Sequence, residues 1–292
     1  MPNTLSPDWL KKSVFKPDIF KGKVVFVTGG AGTICRVQTE AMILLGADAA
    51  IIGRRPEVTQ KAADEMAQLR PGAKVIGVGN TDVREVKSLV AAAERTVKEL
   101  GRIDFLICGA AGNFLSDFNH LSSNAFKSVI SIDLLGSYNT VKACFPELRK
   151  NKGSILFVSA TLHYYGIPFQ THVSAAKAGI DALSNALAVE LGPLGIRSNC
   201  IAPGAIAGTE GIDRLLPADM REKALSLIPA QRWGETEDIA NGTVYIFSDA
   251  ASYVSGTTIV VDGAGWHTSN GAANNAVYPQ MLIAQGNDTP KL

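Results

Sequence analysis

Residues 23–35, KVVFVTGGAGTIC, decide the fold. From Val24 to Thr28 both alternate faces of the run are apolar or β-branched. That pattern suits a strand covered by helices on each side rather than one with a wet face. The run stops at Gly29-Gly30-Ala31-Gly32 and passes straight into a helical pattern. Glycine there lets the backbone turn sharply, and the first amides of the helix face whatever lies beyond the turn. A glycine-rich turn alone is weak, so its surroundings decide.

Outward from this point, apolar residues recur at helical spacing from Ile34 to Leu45, Gly46 stops the helix, and AAII (49–52) reads as a second strand. A helix over 56–69 precedes KVIGVGN (74–80), and one over 84–99 precedes IDFLICGA (103–110). A long helix over 124–148 leads to SILFVSA (154–160), and one over 174–191 leads to IRSNCIAPG (196–204). A helix over 236–247 leads to TTIVVDG (257–263). Seven strand-like runs alternating with helices predict an α/β fold with a doubly wound parallel sheet of Rossmann type. No Pro/Gly/Ser-rich linker divides the chain, so the expected organisation is a single domain. It has an irregular N-terminal arm (1–22), a body (23–266) with a small lid (205–230), and a C-terminal tail (267–292).

The 292 residues are 46% hydrophobic and 19% charged, with a formal net charge of +1. This is enough for a large core, and it gives no electrostatic reason to expect nucleic acid or an anionic membrane as partner. Cys35, Cys108, Cys144 and Cys200 lack CxxC spacing and read as buried free thiols. The four histidines form no metal-binding pattern, so no metal is expected. No apolar run reaches the length of a membrane span, and the first twenty residues lack a signal-peptide core.

With an α/β alternation behind it, the turn at Thr28, Gly29, Gly30 and Gly32, followed by Thr33 and Ile34, reads as a pyrophosphate-binding site. The second strand ends in Gly53-Arg54-Arg55, where a carboxylate would suit the adenosine ribose of NAD. Arginine there pairs instead with a 2′-phosphate, which points to NADP(H), and Arg36 is placed to reach the same region. Asp82, followed by Val83, reads either as an acceptor for the adenine amino group or as a helix N-cap.

These motifs together resemble the short-chain dehydrogenase/reductase family. The resemblance rests on TGGAGTIC (28–35), Asp82-Val83, CGAAG (108–112), SAAKAG (174–179), IRSNCIAPG (196–204) and VVDG (260–263). It implies that Lys177 touches the nicotinamide ribose and lowers neighbouring pKa values. It also implies that Cys108, Gly109 and Ala110, with Pro203, Gly204 and Ile206, line the cofactor. The departures are informative. Thr33 and Cys35 stand where the family has glycine, Val173 stands where its tyrosine would be, Ala160 at its serine with Ser159 adjacent, and Asp133 at its asparagine.

Valine can neither donate a proton nor stabilise an alkoxide. Three readings remain: a chain without catalysis, a carbonyl reductase using Tyr164 or Tyr165, or a reductase of an activated alkene, whose charge spreads into an enolate. AAGNF (110–114), SIDLLG (131–136), SATLHYYG (159–166), VSAAKAGIDAL (173–183), residues 187–211, PAQRWG (229–234) and VVDGAGW (260–266) resemble the peroxisomal branch of the 2,4-dienoyl-CoA reductases. That resemblance implies NADPH-dependent reduction of a 2,4-dienoyl-CoA to a trans-3-enoyl-CoA in β-oxidation. A ketone or a 2-enoyl thioester is the alternative substrate.

On this reading Asn113, with Tyr164, donates to the thioester oxygen, and a water held by Asp133 and Asp262 protonates Cα while Lys177 supplies positive charge. The competing reading makes Asp133 and Lys177 a buried pair that only organises the site. Phe114, Tyr165 and Phe169, with Asn113, are expected to line the acyl pocket, and Trp266 either closes the site or anchors the tail. Pro290-Lys291-Leu292 resembles a peroxisomal address read by an import receptor, with cytoplasm the alternative location. The family resemblance implies a homodimer or homotetramer.

Overall fold

The computed structural model describes residues 4–209 and 220–268. Pro290, Lys291, Leu292, most of the expected tail and the middle of the expected lid lie outside the described residues. Seven parallel strands form one sheet in the order β3-β2-β1-β4-β5-β6-β7. They are β1 (Val24–Thr28), β2 (Asp48–Ile52), β3 (Val75–Val78), β4 (Phe105–Cys108), β5 (Ser154–Val158), β6 (Arg197–Pro203) and β7 (Thr258–Val261). The chain runs outward from β1 to β3, then returns to lay β4 against the other side of β1. Loops leaving β1 and β4 therefore diverge over a crevice at the carboxyl edge, where ligands of such sheets bind.

Side-chain alternation splits the core in two. Val25, Val27, Ala49, Ile51, Phe105, Ile107 and Leu156 pack on one face, with α2 (Thr33–Leu44) and α10 (Thr236–Phe247). Phe26, Ala50, Ile52, Leu106, Cys108, Ile155 and Phe157 pack on the other, where α4 (Val86–Leu100), α6 (Gly136–Asn151) and α8 (Thr171–Leu191) lie. All four cysteines are buried and free, as their scattered spacing suggested.

The fold departs from the sequence reading in the arm and in the long helix. The arm carries a helical turn, α1 (Trp9–Lys12), with Leu5, Trp9 and Phe20 buried. Leu5 N donates to Glu40 Oε2 at 2.8 Å and Trp9 Nε1 to Asn241 Oδ1 at 3.2 Å, so the arm is tied across α2 and α10. The single long helix expected over 124–148 is instead α5 (Ser123–Ile130), a π-helical segment (Ser131–Leu135) and α6. Apolar periodicity cannot reveal one wide turn inside an otherwise continuous rod. The other helices are α3 (Pro56–Ala67), α7 (Leu162–Tyr165) and α9 (Arg221–Ser226).

Candidate active site

At the cofactor edge, Gly29 has φ +71°, and a Cβ there would come within 2.9 Å of the Gly109 carbonyl. The loops after β1 and β4 thus approach as closely as backbones allow, and Thr28 Oγ1 accepts from Gly109 N at 3.2 Å. Gly32 precedes α2 without any side chain capping the helix, which leaves the amides of its first turn open to an anion. Cys35 resolves one departure from the family pattern. Its sulfur fills the space where a side chain at Gly109 would begin, and burial pushes its thiol up to about 12, so it is inert packing.

Arg54 and Arg55, beyond β2, are exposed and make no ion pair among the described residues. Arg36 is placed otherwise than the sequence suggested. Its Nε donates to Glu40 at 2.8 Å and its Nη1 to Glu65 at 2.7 Å, which fixes it between α2 and α3. Asp82 is likewise engaged, accepting from the Arg84 amide and guanidinium, and the cap of α4 is Glu85 rather than Asp82. Val83 packs against Gly136, and Pro203, Gly204 and Ile206 follow β6. An open helix N-terminus, closely apposed glycines and two unpaired arginines form a donor set that fits a phosphorylated dinucleotide.

The reacting end is built around Asp133, which is 0% exposed on the π-helical segment. Its Oδ1 accepts from Gly112 N at 2.7 Å, and its Oδ2 stands 3.2 Å from Lys177 Nζ. That second contact is an ion pair off the hydrogen-bond line, so Oδ2 still lacks a hydrogen-bonding partner. Lys177 donates to the Val158 carbonyl at 2.9 Å, which anchors it over the end of β5. Wide turns of this kind often mark functional sites. Here one places a carboxylate beside a buried ammonium. Val173 is 3% exposed and packs with Val129 and Ala176, against Phe114 and Leu162.

Three contacts join the loop after β4 to the start of α8. Asn113 Nδ2 donates to Gln170 Oε1 at 2.9 Å, Ser116 N donates to the Phe169 carbonyl at 3.1 Å, and the Phe114 ring lies 4.3 Å from that of His172. Phe169 adopts φ +67°, a left-handed conformation that costs free energy in a bulky residue. Gln170 and His172 were not singled out from the sequence, because the signal lies in pairing across more than fifty residues.

Tyr164 is placed otherwise than the sequence suggested. It is on α7, its hydroxyl donates to Asp181 Oδ2 at 3.0 Å, and its ring packs edge-on against Trp266 at 5.4 Å. Asp181 also meets His163 Nε2 at 2.8 Å. Burial pushes the Asp181 carboxyl up, but the bonds from His163 and its neighbours outweigh this and hold it below its usual range. Tyr165 sits on the same turn, half-buried. Asp262, after β7, accepts from Trp266 N at 2.7 Å, and its Cβ occupies the space beside Gly204 where a side chain would collide. Among the described residues no cluster could hold a metal ion, and no helix is long and apolar enough to cross a membrane.

Comparison with known proteins gives concordant results. The family described as enoyl-(acyl carrier protein) reductase, one of the short-chain alcohol dehydrogenase type, matches residues 29–267. The chain is 61% identical over 282 residues to the peroxisomal 2,4-dienoyl-CoA reductase SPS19, (3E)-enoyl-CoA-producing, of Saccharomyces cerevisiae, covering 96% of each chain. It is 40% identical to the peroxisomal 2,4-dienoyl-CoA reductase of Danio rerio, over 88% of this chain and 85% of that one. A short chain dehydrogenase from Bacillus anthracis shares its structure with a TM-score of 0.76 at 34% identity, over 84% of this chain and 97% of that one.

Proposed function

The chain belongs to the short-chain dehydrogenase/reductase family, and from that premise we propose that it reduces 2,4-dienoyl-CoA thioesters to trans-3-enoyl-CoA with NADPH in the β-oxidation of unsaturated fatty acids. One observation carries the reading. A buried Asp133–Lys177 pair stands beside an apolar cluster that contains Val173, where alcohol chemistry would need a tyrosine. An alkene reduction leaves its charge on a thioester oxygen, which needs hydrogen-bond donors rather than a phenol. The 61% identity to a reductase of this name supports the substrate class.

NADPH, when bound, would supply the hydride that C5 of the conjugated acyl chain accepts. Gly29, Gly30 and Gly32, with the open amides of Thr33 and Ile34, hold the pyrophosphate, and Arg54 and Arg55 take the 2′-phosphate as a fork. Asp82, Val83, Cys108, Gly109, Ala110, Pro203, Gly204 and Ile206 line the remainder. Lys177, held by the Val158 carbonyl, fixes the ribose.

Asn113 is held by Gln170 and keeps one amide hydrogen for the thioester oxygen. Asp133 Oδ2, which accepts no hydrogen bond within the protein, and the Asp262 carboxylate hold the water that protonates Cα, and Lys177 offsets the negative charge. Phe114, Phe169 and Tyr165 line the acyl chain, while Tyr164 holds the mouth through Asp181. The described residues keep exposed apolar groups such as Val189 and Tyr253, which suits a homodimer or homotetramer. The peroxisomal relatives favour peroxisomal residence, with Pro290-Lys291-Leu292 as the address read by an import receptor.

The test is direct. The purified protein, NADPH and a 2,4-dienoyl-CoA are mixed and the nicotinamide absorbance followed. Loss with the dienoyl thioester but not with simple ketones is the expected result, and the reverse pattern overturns the reading.

A further inference from the structure

His172 is 0% exposed, yet neither ring nitrogen has a hydrogen-bond partner. Proteins seldom leave a buried imidazole unpaired, and an orphan of this kind calls for a ligand or a catalytic role. Its surroundings are the candidate site itself. The ring lies tilted against that of Phe114, next in sequence to Asn113, and its one polar neighbour there, the Phe114 backbone, is short of full hydrogen-bond geometry. Two other buried atoms of the same neighbourhood also accept no hydrogen bond: Asn113 Oδ1, and Asp133 Oδ2, whose contact is the Lys177 ion pair. The charged group that acts on His172 is Asp133 on the π-helical segment, itself ion-paired with Lys177.

An enolate oxygen is best held by two donors. Asn113 offers one, and Tyr164, the expected second, gives its hydroxyl to Asp181. Resting on the dienoyl-CoA reading above, we propose that His172 is the second donor, its neutral imidazole presenting an N–H to the thioester oxygen as negative charge builds there. Burial lowers the ring's pKa more than the Phe114 backbone and the nearby Asp133 raise it, which favours the neutral imidazole with one N–H available. Because the ring is fully buried, contact with the thioester oxygen requires the Phe114 loop to shift as substrate enters.

Three variants of the full chain, His172→Leu, His172→Asn and His172→Gln, test this with a 2,4-dienoyl-CoA and NADPH. His172→Leu should lower kcat by about 100-fold with the NADPH Kd unchanged. It should also raise Tm by about 2–4 °C, because it removes an unpaired buried polar group. One of the two amide variants should recover at least about tenfold, since an amide restores an N–H. If His172→Leu keeps kcat, or loses stability and activity together, or if neither amide recovers activity, the inference fails while the dienoyl-CoA reading stands. A wild-type protein that leaves the dienoyl thioester untouched overturns that reading and this inference with it.

Discussion

The sulfur of Cys35 lies where a side chain at Gly109 would begin, 2.0 Å from the position that a Cβ there would take. The segments that follow β1 and β4 are therefore interlocked through one thiol. Gly109→Ala is expected to cost about 1–3 kcal/mol of stability by overpacking. Adding Cys35→Gly should return most of it, as denaturant midpoints of the single and double variants would reveal; an additive pair contradicts the interlock.

Arg54 and Arg55 should set the choice of cofactor. Replacing both with alanine removes charge-assisted bonds of about 1.5–3 kcal/mol each, so NADPH binding should weaken by at least tenfold while NADH binding barely changes. Fluorescence titration with both nucleotides at two salt concentrations checks this. Equal weakening of both would locate the 2′-phosphate elsewhere.

Asp133→Asn and Asp262→Asn should each reduce kcat by about 100-fold or more without abolishing NADPH binding. Asp133→Asn should also lower stability by about 3–5 kcal/mol, because it leaves the Lys177 ammonium buried without its counter-charge. Single-turnover rates with a dienoyl-CoA, read beside melting curves, separate the two effects. Full activity in both variants would rule out the water between them.

Tyr164→Phe should change kcat less than about threefold. The hydroxyl is committed to Asp181, and its loss should register as a lower Tm and a higher KM through a looser mouth. A 100-fold fall in kcat would return the phenol to the chemistry.

The burial of His172 makes folding sensitive to acid. An unfolded histidine takes up a proton near pH 6.5, whereas the folded one resists protonation until a lower pH. Stability from this group is complete above pH 6.5 and falls as the pH drops toward the folded value, by at most about 1.4 kcal/mol per unit. His172→Leu should flatten that part of the profile, measured by urea unfolding between pH 7 and 5.

The sheet was legible because parallel strands covered on both faces leave long apolar runs such as VVFVT, and glycines punctuate them. The glycine turn after β1 was legible for the same reason: its requirement is local. Lys177 and Asp133 stood out by spacing and by polarity in an apolar segment. Gln170 and His172 did not, since a buried histidine earns notice only when its missing partners are known. Arg36 misled because Glu40, one turn along its own helix, and Glu65, on another, claim it before any phosphate could. Tyr164 misled similarly, since nothing near it in sequence announces Asp181.

The wide turn at Ser131–Leu135 has a geometric consequence. A regular helix carries its stripes at a constant pitch, but five residues per hydrogen-bonded loop shift the phase of all that follows. The rod's first half, α5, leans on α8, and its second half, α6, leans on α4. Deleting one residue from the segment would restore even winding, keep the helix and spoil the alignment, forcing either Asp133 or the inner stripe of α6 to point the wrong way.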